Sequence, residues 1–474
     1  MRSVATLALA ALFAGCSQQP KYVQPGLPTA PHYVGSAWTG TAAGPRAADV
    51  PWRSFFADPQ LQSLIAGALR NNRDLRAAVL RIDEARGQYR IQRADRLPTV
   101  SLDGGAARSR TSGETGQGAS ITGNRFDVGA NVASFELDFW GRVRSLTESA
   151  RANYLSTIHA QRAFQISLIA DVATTYLNDR EFAERIALAD RSVRSRTRAL
   201  EIGRLRLKAG VTSALDYRQI ETLLTQAMTE RANLELDRAR NRNFLDLLVG
   251  GPTPGGLPAA LSLDQQGIVE TIAPGLPSEL LANRPDILEA EEQLRAANAD
   301  VGAARAALFP RISLTGALGF ASSALTSLVS GGALAWSAGG NVAFPLFDGG
   351  RNRGNVDVAN ARRGIGVAAY ERAVQSAFRE VSDGLVARRW LIERMAAQQR
   401  ELAAQRDRAE LAMLRYRNGV ASYLEVLDAE RELFAAEQQT VLTRREQLAN
   451  AVDLYVALGG GVDAPAAETA TPRR

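Results

Sequence analysis

A single cysteine, Cys16, and only two histidines, His32 and His159, occur in 474 residues. A Cys/His metal cluster and an intramolecular disulfide framework are thereby excluded. His32 lies in a proline-rich segment and His159 in a helical one, so neither has a catalytic partner in view. The net charge is +6, but the basic residues are scattered along helices with no dense Lys/Arg block, so nucleic acid is not an expected partner. No nucleophile–base constellation, Walker loop or dinucleotide fingerprint is present. The glycine-rich stretch Gly349 to Gly354 lacks the lysine of a P-loop. No enzyme activity, cofactor or metal is therefore expected. Proline is absent from two long tracts, 99–251 and 346–464. Within their helical parts Leu, Ala, Arg, Glu and Gln dominate, which favours helix.

What is present begins with Met1-Arg2 and an apolar run from Val4 to Ala14, about the length of a secretory signal and too short to span a membrane. Gly15-Cys16 closes the run. The sole cysteine thus stands where a bacterial lipoprotein signal places its lipidated residue, although Phe13 replaces the usual leucine. On this reading residues 1–15 are a signal segment and 16–60 a lipidated N-terminal strap. Ser17 follows the cysteine, which implies outer-membrane sorting, and acyl chains would anchor the mature end firmly. Residues 17–50 are rich in Pro, Gly, Ala and Thr without helical period. Asp58-Pro59 then supplies a helix start, Asp as cap and Pro in the first turn.

The chain repeats itself. Leu205 to Asp216, LRLKAGVTSALD, returns 209 residues later as Leu414 to Glu425, LRYRNGVASYLE. Around each copy the order is helix, hairpin, very long helix, Gly-Val turn, helix. The first repeat spans 61–250, with a hairpin in 99–137; the second spans 281–461, with a hairpin in 311–346. A Pro/Gly-rich connector, 251–280, lies between them, with a short strand expected at Leu261 and Leu263. The tail, 462–474, has the composition of a disordered end. In the first hairpin Phe126, Val128, Ala130 and Val132 alternate with Asp127, Gly129, Asn131 and Ala133. From Gly141 the helical pattern runs to about Ala209, about 100 Å at 1.5 Å per residue. So long a helix needs partners along its length. Four strands per chain cannot close a membrane barrel, and an open edge cannot face lipid, so membrane insertion implies several copies. Arg142 and Arg351, after the hairpins, read equally as interface anchors or as partners in turn-closing ion pairs. Trp336, Phe344 and Phe347 are candidates for an aromatic girdle.

These features together resemble the TolC-like outer-membrane factors, in particular their efflux lipoproteins. The residues that carry the likeness are Cys16, the stretch Arg284-Pro285-Asp286-Ile287, Leu308-Phe309-Pro310, Phe347-Asp348-Gly349-Gly350, Leu458 to Gly461, and the two tip motifs. The likeness covers the chain from about Pro51 to Gly461. It implies a homotrimer: a twelve-stranded outer-membrane β-barrel, four strands per chain, continued by a long α-helical periplasmic barrel. It further implies a passive exit duct for small molecules, served by a periplasmic adaptor and an inner-membrane efflux pump. An exit duct for secreted polypeptides is the alternative on the same fold.

The resemblance assigns roles to the tips. Gly210, Val211, Ser213 and Leu215 of the first turn, and Gly419, Val420 and Ser422 of the second, would meet the adaptor. Leu424 and Asp428, four apart on one helix face, would line the closed aperture as threefold rings, with Asp216 a weaker candidate. Arg206, Arg218, Arg415 and Arg417 flank the turns and are the expected partners for the ring of carboxylates. Arg400, Arg406 and Arg408 read as a solvated or ion-paired face. No Met or Cys cluster points to soft-metal cargo.

Overall fold

The computed structural model describes residues 17–26, 45–112, 120–253, 255–270, 272–273 and 277–461. The signal segment, Cys16 and the tail after Gly461 lie outside them. The helices are α1 (Trp52–Phe55), α2 (Pro59–Asn71), α3 (Arg73–Ala94), α4 (Arg142–Lys208), α5 (Ala214–Val249), α6 (Pro277–Asn283), α7 (Pro285–Ala306), α8 (Arg351–Arg417) and α9 (Tyr423–Ala457). The strands are β1 (Ser101–Thr111), β2 (Ile121–Glu136), β3 (Arg311–Ser322) and β4 (Leu334–Ala343). The chain forms two compact units. One comprises the described parts of Met1–Gly26 with Leu80–Ile158 and Glu289–Arg372; the other comprises the described parts of Leu27–Val79 and Ala373–Arg474 with those of His159–Leu288.

The first unit holds a four-stranded antiparallel sheet in the order β1-β2-β3-β4. Its register sorts the side chains. Leu102 pairs with Ala130, Val128 with Phe320, Ala130 with Leu318, Leu318 with Trp336 and Ile312 with Val342, so one face is apolar except at the outer end of β1 and β2, where Arg108 and Arg110 lie against Asn124 and Thr122. The opposite face carries Ser101 against Asn131, Ser313 against Asn341 and Arg311 beside Ala343, with Asp103, Arg125 and Asp127 in the same rows. At the seam between the repeats Gly129 pairs with Gly319. A Cβ on Gly319 would lie 2.3 Å from the Val128 carbonyl oxygen, so the two backbones approach as only glycine allows. A bulge between Val132 and Phe135 then turns β2 toward α4.

Each very long helix starts on an aspartate. Asp138 accepts from the backbone N–H of Val143 (3.0 Å) and Arg144 (2.7 Å) at the head of α4. Asp348 accepts from Gly350 and Asn352, both at 2.9 Å, at the head of α8. These carboxylates satisfy N–H groups that a helix start leaves unpaired. Both helices then run 67 residues. Arg142 closes the preceding turn on Glu136 with two bonds, 2.8 and 2.6 Å, which settles its role as an ion-pair partner. Trp336 is 75 % exposed and Phe347 93 %.

Residues 17–26 lie along α7. Gln18 N donates to Trp140 O, Asn298 Nδ2 donates to Pro20 O, and the Tyr22 hydroxyl donates to Glu291. The Arg295 guanidinium covers the Tyr22 ring, and Gln24 donates to the Tyr370 hydroxyl. Glu291, Arg295, Asn298 and Gly302 follow one another at spacings of four, three and four, one face of a helix.

The second unit is built on Asp58. Its carboxylate caps α2 through Gln60 N and is buried, where Tyr176 (2.6 Å) and Gln266 (3.1 Å) donate to it. Phe55 stacks on Tyr455 at 3.9 Å between ring centres, and the Tyr455 hydroxyl donates to Val50 O. In the connector no strand forms at Leu261 and Leu263. Leu263–Gln265 is a single 3-10 turn instead, with Leu263 buried and its N–H held by the Glu184 carboxylate at 2.8 Å. With its donor taken by a side chain, the segment has no strand to pair with. Among the described residues of the connector, Ala273 forms one extended bridge with Arg46.

Candidate functional site

The candidate site is the pair of tips in the second unit, where α4 turns into α5 and α8 into α9. Both turns are the same device. Val211 N reaches back to Arg206 O and Gly210 N to Leu207 O; Val420 N reaches Arg415 O and Gly419 N reaches Tyr416 O. This is a Schellman motif with glycine in the left-handed position. Gly210 has φ +72° and Gly419 φ +74°, and a Cβ on either would meet nothing within 4 Å. Glycine is required here by backbone angle, not by space.

After the turns the two copies diverge. Ser213 caps α5 in a reciprocal box: Asp216 N donates to its hydroxyl, and the Asp216 carboxylate accepts from Ser213 N and from the Thr212 hydroxyl. Those bonds, the Ser213 contacts first, hold the Asp216 carboxyl below the usual carboxylate range. Asp216 is thus occupied with its own helix. Ser422 heads α9 without a side-chain cap, and Glu425 instead pairs with Arg415 at 3.0 Å across the turn.

The tips pack through Tyr423. It joins one cluster of Ala199, Ile220 and Leu427 to another of Ala412, Val426 and Ala429, and its ring lies 4.9 Å from that of Tyr416. Burial pushes the Tyr423 hydroxyl well above its ordinary range and the Glu430 carboxyl up as well, with Arg196 opposing the latter. Arg196 is itself buried and donates to Leu223 O at 2.6 Å. A cavity of about 640 Å³ opens here, lined among others by Arg198, Arg206, Asp216, Tyr416, Arg417 and Glu430.

Leu424 and Asp428 face away from this packing. Leu424 is 53 % exposed, as are Val211 (61 %), Leu215 (66 %) and Val420 (68 %) to similar degrees. Asp428 is held by Arg408 at 2.5 Å and Arg431 at 2.6 Å. Three of the four arginines expected to serve it are engaged elsewhere: Arg206 donates to the Tyr416 hydroxyl, Arg218 to Glu221 and Arg415 to Glu425, while Arg417 lines the tip cavity. Local charge spacing misled here. Arg408 and Asp428 lie ten residues on either side of Asn418, so an antiparallel hairpin brings them level. Residues flanking the turn itself are too close to reach that level. Arg406, one of the face arginines, pairs with Glu437.

The sequence profile described as outer membrane efflux protein matches residues 64–251 and 276–460. The solvent efflux pump outer membrane protein SrpC of Pseudomonas putida is 42 % identical over 461 residues, covering 95 % of this chain and 96 % of that protein. The cation efflux system protein CusC of Escherichia coli O6:H1 is 39 % identical over 448 residues, covering 94 % and 96 %. Among solved structures, the open state of the MtrE outer membrane channel of Neisseria gonorrhoeae superposes with a TM-score of 0.86 at 38 % identity, covering 94 % of this chain and 98 % of that one.

Proposed function

The chain belongs to the outer membrane efflux protein family, and on that premise we propose that it forms the exit duct of a tripartite efflux system in the outer membrane. Small molecules reach it from an inner-membrane pump through a periplasmic adaptor. The reading is carried by the sheet, which has one apolar face, one polar face and two edge strands, β1 and β4, each paired on one side. In hydrocarbon an unpaired strand edge costs several kcal/mol per group. β4 of one copy therefore pairs with β1 of the next. Three copies, the number the family resemblance implies, close twelve strands, with the apolar face to lipid and the polar face to a water-filled lumen.

The strap supports a lipid anchor at Cys16. It delivers Ser17 against Gly141, where the sheet passes into α4. The tip turns, through Val211, Ser213, Leu215, Val420 and Ser422, form the surface for the adaptor, and Leu424 and Asp428 form the aperture. Asp216 we assign to helix capping. The named cargo of relatives differs, solvents for one and cations for another at nearly equal identity, so the duct wall takes what the pump selects.

Nitroxide labels test the reading. At Phe126, Val128 and Leu318, all on one face, they should report oxygen-rich hydrocarbon in reconstituted protein; at Asp127 and Asn131 they should report water. Uniformly aqueous labels on both faces would remove the duct.

A further inference from the structure

We propose that five arginines at the rim of the sheet bind anionic glycerophospholipid headgroups of the leaflet adjoining the helical part of the chain. Two are at the end of α3, Arg93 and Arg96; one heads α4, Arg144; two head α8, Arg351 and Arg353. All five are exposed and belong to the first unit. The proposal rests on the sheet being inserted in a membrane, as read above.

The first observation is position. Arg96 directly precedes Leu97 (70 % exposed) and Val100 (65 %), which lead into β1. Arg351 and Arg353 follow Leu346 (90 %) and Phe347 (93 %), which lead out of β4. At each junction, exposed apolar side chains continuous with the apolar face give way, within a turn or two, to guanidinium groups. This is the order a chain meets on leaving hydrocarbon for the headgroup layer.

The second observation is that the charges are left over. Elsewhere in this unit Arg86 pairs with Asp83, Arg125 with Asp127, Arg151 with Glu148 and Arg295 with Glu291. Among the described residues Arg93, Arg96, Arg144 and Arg353 form no ion pair, and Arg351 has only the Coulombic attraction of Asp348 at the head of its own helix. Carboxylates are nearby but committed. Glu136 is held by Arg142, Asp138 and Asp348 accept backbone N–H groups, and Asp95 accepts from Gln92. Arg96 and Arg144 line one cavity of about 300 Å³ with the apolar Phe135 and Phe139 and with the carboxylates of Asp95, Glu136 and Asp138, so a headgroup is met by the two guanidiniums at its mouth and not by the cavity itself.

The third observation is energetic. α4 and α8 carry no acidic residue in their first turns and place arginines there instead. A cation at that end opposes the helix dipole, and for Arg351 the capping Asp348 offsets part of that opposition. The two arginines closing α3 sit at the favourable end. Closeness to the apolar rim, not helix polarity, is what the five share. A row of guanidiniums facing headgroups is favoured only if those carry net negative charge.

Native mass spectrometry of the reconstituted oligomer with phosphatidylglycerol or phosphatidylcholine of the same acyl chains tests this. Phosphatidylglycerol should be retained selectively. In the variant R96Q/R144Q/R351Q/R353Q its apparent affinity should fall roughly fivefold for each arginine removed, while the corresponding Lys variant keeps most of it. R240Q/R389Q, in the other unit, should behave as wild type. Equal retention by the Gln variant, or displacement of phosphatidylglycerol by lipid A, overturns the proposal. A nitroxide at Val128 separates the two readings: hydrocarbon contact without headgroup preference removes only the arginine site, and aqueous contact removes the membrane insertion beneath it.

Discussion

Asn72 and Arg284 stand at equivalent places in the two halves of the chain, and each donates to a carbonyl at the end of the last helix of its own half. Asn72 Nδ2 meets Leu248 O at 2.9 Å, and Arg284 Nη1 meets Ala457 O at 3.1 Å. The carbonyls are themselves 209 residues apart, the repeat interval of the tips. Each side chain does a second task at the helix it precedes. Asn72 Oδ1 caps α3 by accepting from Leu75 N, and Arg284 grips Asp286 with two bonds and Glu380 with one. One site is solved with a neutral amide and the other with a buried cation between two partly exposed carboxylates.

The difference predicts unequal costs. Asn72→Ala loses a cap and a carbonyl partner, about 1–2 kcal/mol. Arg284→Met leaves Asp286 and Glu380 unpaired, but both keep access to water, so the cost is about 2–3 kcal/mol and not the full value for a buried pair. Denaturant unfolding of the purified oligomer should rank Arg284→Met below Asn72→Ala. The reverse order would show that the carbonyl contact, not the ion pairs, dominates.

The 209-residue repeat, the strand alternation and the two Gly-Val turns were legible because each is a local pattern written in residue types. The Asn72–Arg284 equivalence was not, because amide and guanidinium look unrelated until a shared carbonyl position is seen. The arginines that hold Asp428 were not legible, since pairing across a hairpin depends on distance from the turn. Leu261 and Leu263 alternate like a strand, yet the half-buried Glu184 carboxylate takes the N–H that a ladder needs. The caps at Asp138 and Asp348 escaped notice because they lie at different offsets from Gly141 and Gly350.

Asp179 should make stability fall in acid. Burial pushes its carboxyl up, but bonds from Arg238 and Arg242 together with Arg180 outweigh this and hold it below the usual range. A depressed carboxylate contributes stability above its unfolded value, near pH 4, and loses it as pH falls through the folded value. Asp179→Asn should be destabilised at pH 7, by about 3 kcal/mol, less a discount for the half-exposed Arg242. The gap between the two proteins should shrink below about pH 4. A gap that is constant with pH would assign the loss to packing.

The tip glycines predict a local effect. Gly210→Ala and Gly419→Ala each force a Cβ into the left-handed region, at about 1–2 kcal/mol. Space is open around both, so the strain stays in the turn. Hydrogen exchange should quicken at residues 206–213 or 415–422 while the sheet is unaffected.

Gly302 should decide whether the strap docks. A Cβ there would lie 2.7 Å from the Gln19 Cα, and that backbone is pinned on either side by Trp140 and Asn298. Gly302→Val should release residues 17–26 to proteolysis with the sheet intact. Protection equal to wild type would mean that the Tyr22 and Gln24 contacts suffice alone.

At the proposed aperture charge and size separate. Asp428 carries two guanidinium partners, Arg408 from the opposing leg and Arg431 from its own helix, so a ring of such carboxylates is largely neutralised and can sit close without strong repulsion. Leu424, one turn away and without a polar partner of its own, can constrict only by volume. The two should therefore fail differently in planar bilayers. Leu424→Ala should raise single-channel conductance and leave the reversal potential in a salt gradient near wild type. Asp428→Ala should shift the reversal potential toward anions with a smaller change in conductance. Arg408→Ala is the diagnostic case: it uncovers Asp428 and should strengthen cation preference, opposite in sign to Asp428→Ala. If Arg408→Ala and Asp428→Ala shift the potential in the same direction, the pair acts as a structural clasp of the hairpin and the ions pass elsewhere.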